Sequence, residues 1–129
     1  MIKDYVADLK NFEIIEEIGH GSCGKVYMVK NIKTETILAA KVYQNEIKTT
    51  SDQISFFQEI TIFLKIRNPA VLSIFGFNML NFEGKQFPTI ITNYMKNGSL
   101  RHLLNEYPCF SWAKKYLILL GIAEGMKYL

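Results

Sequence analysis

The chain has 129 residues, of which 49% are hydrophobic and 21% charged, and a formal net charge of +3. That length holds one domain at most, and that apolar content excludes a disordered chain. Its lysines are scattered among acids, which argues against a nucleic-acid-binding surface.

In chain order, the opening "MIKDYVADLKNF" lacks the apolar core of a signal peptide. From about Phe12 to Tyr43 come three β-rich runs, "FEIIEEIG", "GKVYMVKN" and "TILAAKVY", the last two joined by the turn "NIKTE". "SDQISFFQEITIFLKIR" reads as a helix, with Ser51 as the expected N-cap and Phe56, Ile60, Phe63 and Leu64 at helical spacing. Asn68-Pro69 ends it. Two more strands are expected in "VLSIFGF" and "FPTIITNYM", parted by the polar turn "NFEGK". After "KNGS" the pattern turns helical, first in "LRHLLNEY" and then from Ser111 to Leu129. The order is three strands, a helix, two strands and two helices, without repeats or a linker.

The last helix is unusual. Trp112, Leu117, Leu120, Ile122, Ala123, Met126 and Leu129 cannot share one narrow stripe, so it is expected to need cover on most sides. Lacking enough partners here, it is expected to self-associate or to make the isolated chain aggregate. The longest apolar stretch, within "YLILLGIA", falls far short of the roughly 20 residues that span a bilayer, so no membrane partner is expected. Cys23 and Cys109 fit neither a metal spacing nor a disulfide framework, and a soluble, reducing, cytoplasmic setting is expected.

"EIGHGSCGKVYMV" carries the first chemical signal, three glycines within six residues. Gly19-x4-Gly24-Lys25 begins like a Walker A loop, which next needs Ser or Thr and a helix N-terminus facing the phosphates. Val26 follows instead, within a run of strand formers. A dinucleotide fold needs a helix at the same point and fails likewise. A glycine-rich hairpin lying over a nucleotide, Gly19-x-Gly21-x-x-Gly24-x-Val26, fits in full. On the glycines alone, an ordinary hairpin competes with it.

Lys41 breaks that tie. Period-2 alternation puts Ile37, Ala39, Lys41 and Tyr43 on one face of the third strand. A lysine at the centre of an apolar strand is costly unless its ammonium meets anions. Glu59, three residues after Phe56 and four before Phe63, sits on or beside the apolar stripe of the helix and is the natural partner.

At this point the residues resemble the eukaryotic-type protein kinases. "IGHGSCGKV" is similar to their glycine-rich loop, "AAK" to the strand-three lysine site, and "FFQEI" to the helix-C glutamate. "NPAVLSIFGF" resembles the passage from helix C to strand four, with Asn68 where histidine is commoner. "IITNYMKNGSL" resembles strand five and the hinge, and "CFSWAKKYLILLGIAEGMKYL" the long helix that opens the C-terminal lobe. The texture is closest to tyrosine-kinase-like serine/threonine kinases and to tyrosine kinases.

The resemblance implies an α+β fold: a five-stranded antiparallel sheet with helix C, then the hinge and the first two helices of a truncated C-terminal lobe. Residues 1–11 would be an N-terminal extension, 12–95 the ATP-binding lobe with the start of the hinge, and 96–129 the incomplete second lobe. It implies that Ile18, Val26 and Ala39 enclose adenine, and that the loop of Gly19, Gly21, Ser22, Cys23 and Gly24 covers the phosphates with its backbone. Lys41 would bind the α- and β-phosphates, oriented by Glu59. Thr92 would be the gatekeeper, and Asn93 and Met95 would offer main-chain hydrogen bonds to adenine. Cys23 replaces a frequent aromatic at the loop tip, and Asn93 replaces a common glutamate.

The family's catalytic aspartate follows His-Arg, and its metal-binding aspartate precedes Phe-Gly. This chain has Asp4, Asp8 and Asp52, none in either context. His102 is expected to be a solvated helix residue and His20 a turn residue. The implied function is the ATP-binding half of a kinase acting on protein hydroxyls, inactive alone, with Mg2+ joining only alongside the missing lobe. The alternative is a non-catalytic nucleotide-binding or protein-interaction module.

Overall fold

The computed structural model describes residues 1–129. Its elements are β1 (Phe12–Gly21), β2 (Gly24–Asn31), β3 (Ile37–Tyr43), α1 (Thr50–Lys65), β4 (Ile74–Asn78), β5 (Thr89–Asn93), α2 (Leu100–Glu106) and α3 (Trp112–Tyr128). Two short 3-10 turns, Ile2–Tyr5 and Leu9–Asn11, precede them. The strands form one five-stranded antiparallel sheet in the order β1-β2-β3-β5-β4, the α+β arrangement expected.

Alternation along β3 and β5 divides the core in two. Leu38, Ala40 and Ile91 point to one face and are buried with Phe12 and Val29. Ile90 points to the other, where it meets Phe56 and Ile60 of α1, Phe77 of β4 and Ile47. Each large side chain hidden this way contributes about 1.5–3 kcal/mol of transfer free energy. Phe77 is edge-on to both Phe56 and Phe57, at centroid distances of 6.0 Å in each case. The face of β3 opposite Leu38 and Ala40 carries Ala39 and Lys41, and there the site forms.

The start of α1 differs from expectation. Thr49, rather than Ser51, is the N-cap, because Thr49 and Asp52 satisfy each other's backbone. The Asp52 amide donates to Thr49 Oγ1 at 3.1 Å, and the Asp52 carboxylate accepts from the amides of Thr49 (2.9 Å) and Lys48 (3.0 Å). Ser51 already lies in the first turn, where its hydroxyl has no free amide to cap.

Residues 1–11 are built into the sheet edge. Val6 bridges Phe77 in parallel, the Ala7 amide donates to the Phe77 carbonyl at 2.8 Å, and Asn78 Nδ2 donates to the Ala7 carbonyl at 2.8 Å. Gly76 permits this approach, since a Cβ there would lie 2.9 Å from the Tyr5 carbonyl oxygen. The segment thereby covers backbone groups that an open edge strand would expose. At the opposite edge, β1 carries two register shifts against β2, between Ile14 and Glu16 and between Glu17 and Gly19. The second leaves Ile18 unpaired and turned towards the cleft, the usual consequence of a bulge.

No helix is long and apolar enough to cross a membrane.

Candidate functional site

A cleft of about 360 Å³ opens between the β-sheet, α1 and the segment after β5. That volume lies within the common range for small-molecule sites, about 300–1,000 Å³. Each wall has a local cause. The β1 bulge delivers Ile18, and alternation along β2 and β3 delivers Val26, Ala39 and Lys41. β5 contributes Ile90 and Thr92 from the face opposite buried Ile91, and α1 contributes Glu59 and Phe63. The chain then leaves the sheet through Asn93, Tyr94 and Met95 to Gly98, whose φ of 69° turns it into α2. Ser99 caps α2 by accepting the His102 amide at 3.2 Å.

The structure thus brings together Ile18, Val26, Ala39, Lys41, Glu59, Thr92, Asn93 and Met95. Gly19 and Gly21 lie near the end of β1, Ser22 and Cys23 in the turn and Gly24 at the start of β2, all outside the cleft lining. The turn is tied to the end of β3: the Gln44 amide donates to the Cys23 carbonyl at 3.3 Å, and Gln44 Nε2 donates to the Ser22 carbonyl. The glycines there differ in cause. Gly24 has φ 141°, and a Cβ would fall 2.0 Å from the Val42 carbonyl oxygen, so the fold itself requires glycine. Gly19 and Gly21 would meet nothing within 4 Å. Packing within the chain gives no reason for a bare backbone at these two positions.

Lys41 is the one cation and Glu59 the one carboxylate in the lining. They are not an ion pair, contrary to expectation: Lys41 is absent from every salt bridge of the chain. Glu59 Oε1 instead accepts the Tyr43 hydroxyl at 2.7 Å, while Lys41 Nζ stands 4.8 Å from the centroid of the same ring. Glu59 is exposed on α1 and Lys41 half-buried on β3, so the carboxylate lies further from the apolar stripe than its spacing suggested. Burial, and then the hydrogen bond and charge of Glu59, hold the Tyr43 hydroxyl well above the ordinary tyrosine pKa, so it remains a donor.

Sequence reasoning did not assign Tyr43, Phe63, Leu72, Ile90, Tyr94 or Gly98 to the cleft. Tyr43 and Phe63 were legible in part, from the β3 alternation and the α1 stripe. Leu72 and Tyr94 stand in irregular segments, where no period predicts a direction. His102 is an exposed helix residue beside Glu106, as expected, and His20 lies within β1, paired with Lys25, instead of sitting in a turn. A larger hollow of about 490 Å³ lies elsewhere, against Asp8, Lys10, Phe12 and Asn78. Its charged groups, Asp8 and Lys10, are both exposed surface residues, whereas Lys41 is half-buried in its cleft.

A family model described as the protein kinase domain matches residues 12–129. A probable leucine-rich repeat receptor-like protein kinase of Arabidopsis thaliana is 31% identical over 130 residues, covering 98% of this chain and 11% of that protein. The serine/threonine-protein kinase TNNI3K of Homo sapiens is 37% identical over 123 residues, covering 94% of this chain and 14% of the relative. The dual specificity protein kinase splA of Dictyostelium discoideum is 32% identical over 130 residues, covering 98% of this chain and 5% of the relative. The chain therefore spans a small fraction of the length of the proteins it matches.

Proposed function

The chain belongs to the protein kinase family, and on that footing we propose that these residues form the part of a kinase that holds ATP. Residues 12–95 are read as the ATP-binding lobe through the start of the hinge, and 96–129 as the hinge end and first helices of the second lobe. The observation that carries this reading is Lys41, a lone cation on the middle strand of an otherwise largely apolar cleft. Such an ammonium gains most where an anion shares its desolvated site.

The remaining residues fit the same ligand. Ile18, Val26, Ala39 and Leu72 offer apolar surface to a flat base, and the main chain of Asn93 and Met95 offers polar groups at its edge. Gly19 and Gly21, with nothing in the chain to crowd a side chain, leave backbone free to approach phosphate. ATP bound here would supply the phosphoryl group, and protein hydroxyls would be the acceptors. Transfer also requires an aspartate at the acceptor and another on Mg2+. Asp4, Asp8 and Asp52 lie outside the cleft, so these 129 residues hold nucleotide without transferring phosphate by themselves. A cytoplasmic setting suits the two free, exposed cysteines.

Calorimetric titration with ATP tests the reading. Lys41→Met keeps the apolar stem and removes the charge, and is expected to weaken binding by about tenfold or more, the usual worth of a hydrogen bond to a charged group. Unchanged affinity overturns the assignment. The same preparation is expected to give no phosphate transfer to protein above background, with or without Mg2+. The exposed apolar face of α3 favours a second role, as a surface that docks a protein partner.

A further inference from the structure

Tyr43 lines the cleft, yet it is not among the residues assigned above to base or phosphate. It lies two residues beyond Lys41 on the same face of β3, and its ring is edge-on to Phe56 of α1 at a centroid distance of 6.0 Å. That contact and its half-buried setting give the ring a fixed seat between sheet and helix. From this seat it engages both charged groups of the cleft, the Lys41 ammonium over its face and the Glu59 carboxylate at its hydroxyl.

We propose that Tyr43 is a positioning residue that works as a wedge, holding Glu59 away from Lys41 and thereby setting the affinity of the cleft for nucleotide. The proposal rests on the reading of the cleft as an ATP site. On this proposal the same three side chains exchange between two arrangements. In the one observed, the phenol satisfies Glu59, and the ammonium rests on the ring without a carboxylate to orient it. In the other, Glu59 releases the phenol and pairs with Lys41. An ammonium–carboxylate pair adds Coulomb attraction that a neutral phenol does not supply. A lysine already held in place also loses less side-chain freedom when phosphate arrives. The wedge therefore costs affinity.

The decisive variant is Tyr43→Phe, which keeps the ring, its contact with Phe56 and its face towards Lys41, and deletes only the donor to Glu59. Calorimetric titration with ATP is expected to show binding tighter by about three- to tenfold, the worth of one modest hydrogen-bond rearrangement. In a Glu59→Gln background the same change is expected to give no gain, because no carboxylate is left to release. A purely structural tyrosine would not lose its effect in this way. A second readout needs no nucleotide: acetylation of Lys41 by an amine-reactive ester, followed by mass spectrometry, is expected to slow in Tyr43→Phe and to recover in the double variant. If Lys41→Met weakens ATP binding while Tyr43→Phe leaves both affinity and acetylation unchanged, the wedge is overturned and the ATP site stands. If Lys41→Met leaves affinity unchanged, the ATP site itself is overturned and the wedge falls with it.

Discussion

The helices α1 and α3 have nearly the same length, 16 and 17 residues, and opposite fates. α1 buries Phe56 and Ile60 against the sheet and turns Ser51, Asp52, Gln58 and Lys65 to water. α3 buries only Gly125, on the backbone of Ala70, while Trp112 remains 85% exposed and Met126 69%. α3 is the more apolar helix, with 11 of 17 residues apolar against 7 of 16 in α1, so apolar content alone does not explain its exposure. Pattern does: α1 carries one stripe that a single sheet face can cover, and α3 is apolar around its circumference, which one neighbour cannot cover. A helix finds burial only where its apolar arc matches the surface offered to it.

Removing α3 is the strongest way to test that contrast. A chain ending at Tyr107 is expected to be monodisperse and monomeric by light scattering, whereas the 129-residue chain self-associates or aggregates. Several large apolar side chains held in water, at about 1.5–3 kcal/mol each, rival the whole stability of a small domain. A monomeric 129-residue chain would show that α3 finds cover within it, and the contrast would break.

Single substitutions sharpen the same contrast. Phe77 is 1% exposed and packed against both Phe56 and Phe57, so Phe77→Ala is expected to cost about 3–5 kcal/mol in urea unfolding. Leu119, 64% exposed on α3, is expected to change stability by no more than about 0.5 kcal/mol when cut to alanine. Equal losses at the two positions would mean that α3 is as well packed in solution as the sheet.

The smallest effect concerns the start of α1. Hydrogen bonds from the Thr49 amide first, then from the Thr49 side chain and the Lys48 amide, hold the Asp52 carboxyl below its ordinary pKa of 3.8. A carboxylate depressed by folding stabilises the folded chain above its unfolded pKa, and that gain is lost as pH falls through the lower folded value. Asp52→Asn is therefore expected to lower the melting temperature slightly at neutral pH, with the difference shrinking below pH 3.8. A difference that persists in acid would assign the effect to the amide's altered capping geometry rather than to charge. α3, capped by the Ser111 hydroxyl on the Lys114 amide at 3.3 Å, has no such acid-sensitive start.

Much of the molecule is legible in its sequence. The five strands, the three α-helices and their order follow from alternation, helical spacing and the turns at "NIKTE" and "NFEGK", because these signals act between neighbours in sequence. The same alternation put Ala39 and Lys41 on one face, and the α1 spacing brought Glu59 to the cleft. What stayed hidden depends on which distant residue arrives first. Ser51 and Thr49 are both capable caps, and only the reach of Asp52 back to Thr49 decided between them.

The amino-acid sequence by itself determined the order of strands and helices, the glycine hairpin and the shared face of Ala39 and Lys41, since each rests on a local period or spacing. Only the tertiary structure decided that Gly24 must be glycine because β3 passes so close, and that residues 1–11 seal the edge of β4 across Gly76. It alone decided that Tyr43, and not Lys41, holds Glu59. A lysine and a glutamate facing one cleft predict an ion pair by charge, but a hydrogen bond is won by geometry. The ring wedged against Phe56 reaches the carboxylate across the gap between sheet and helix, a distance that no spacing along the chain encodes.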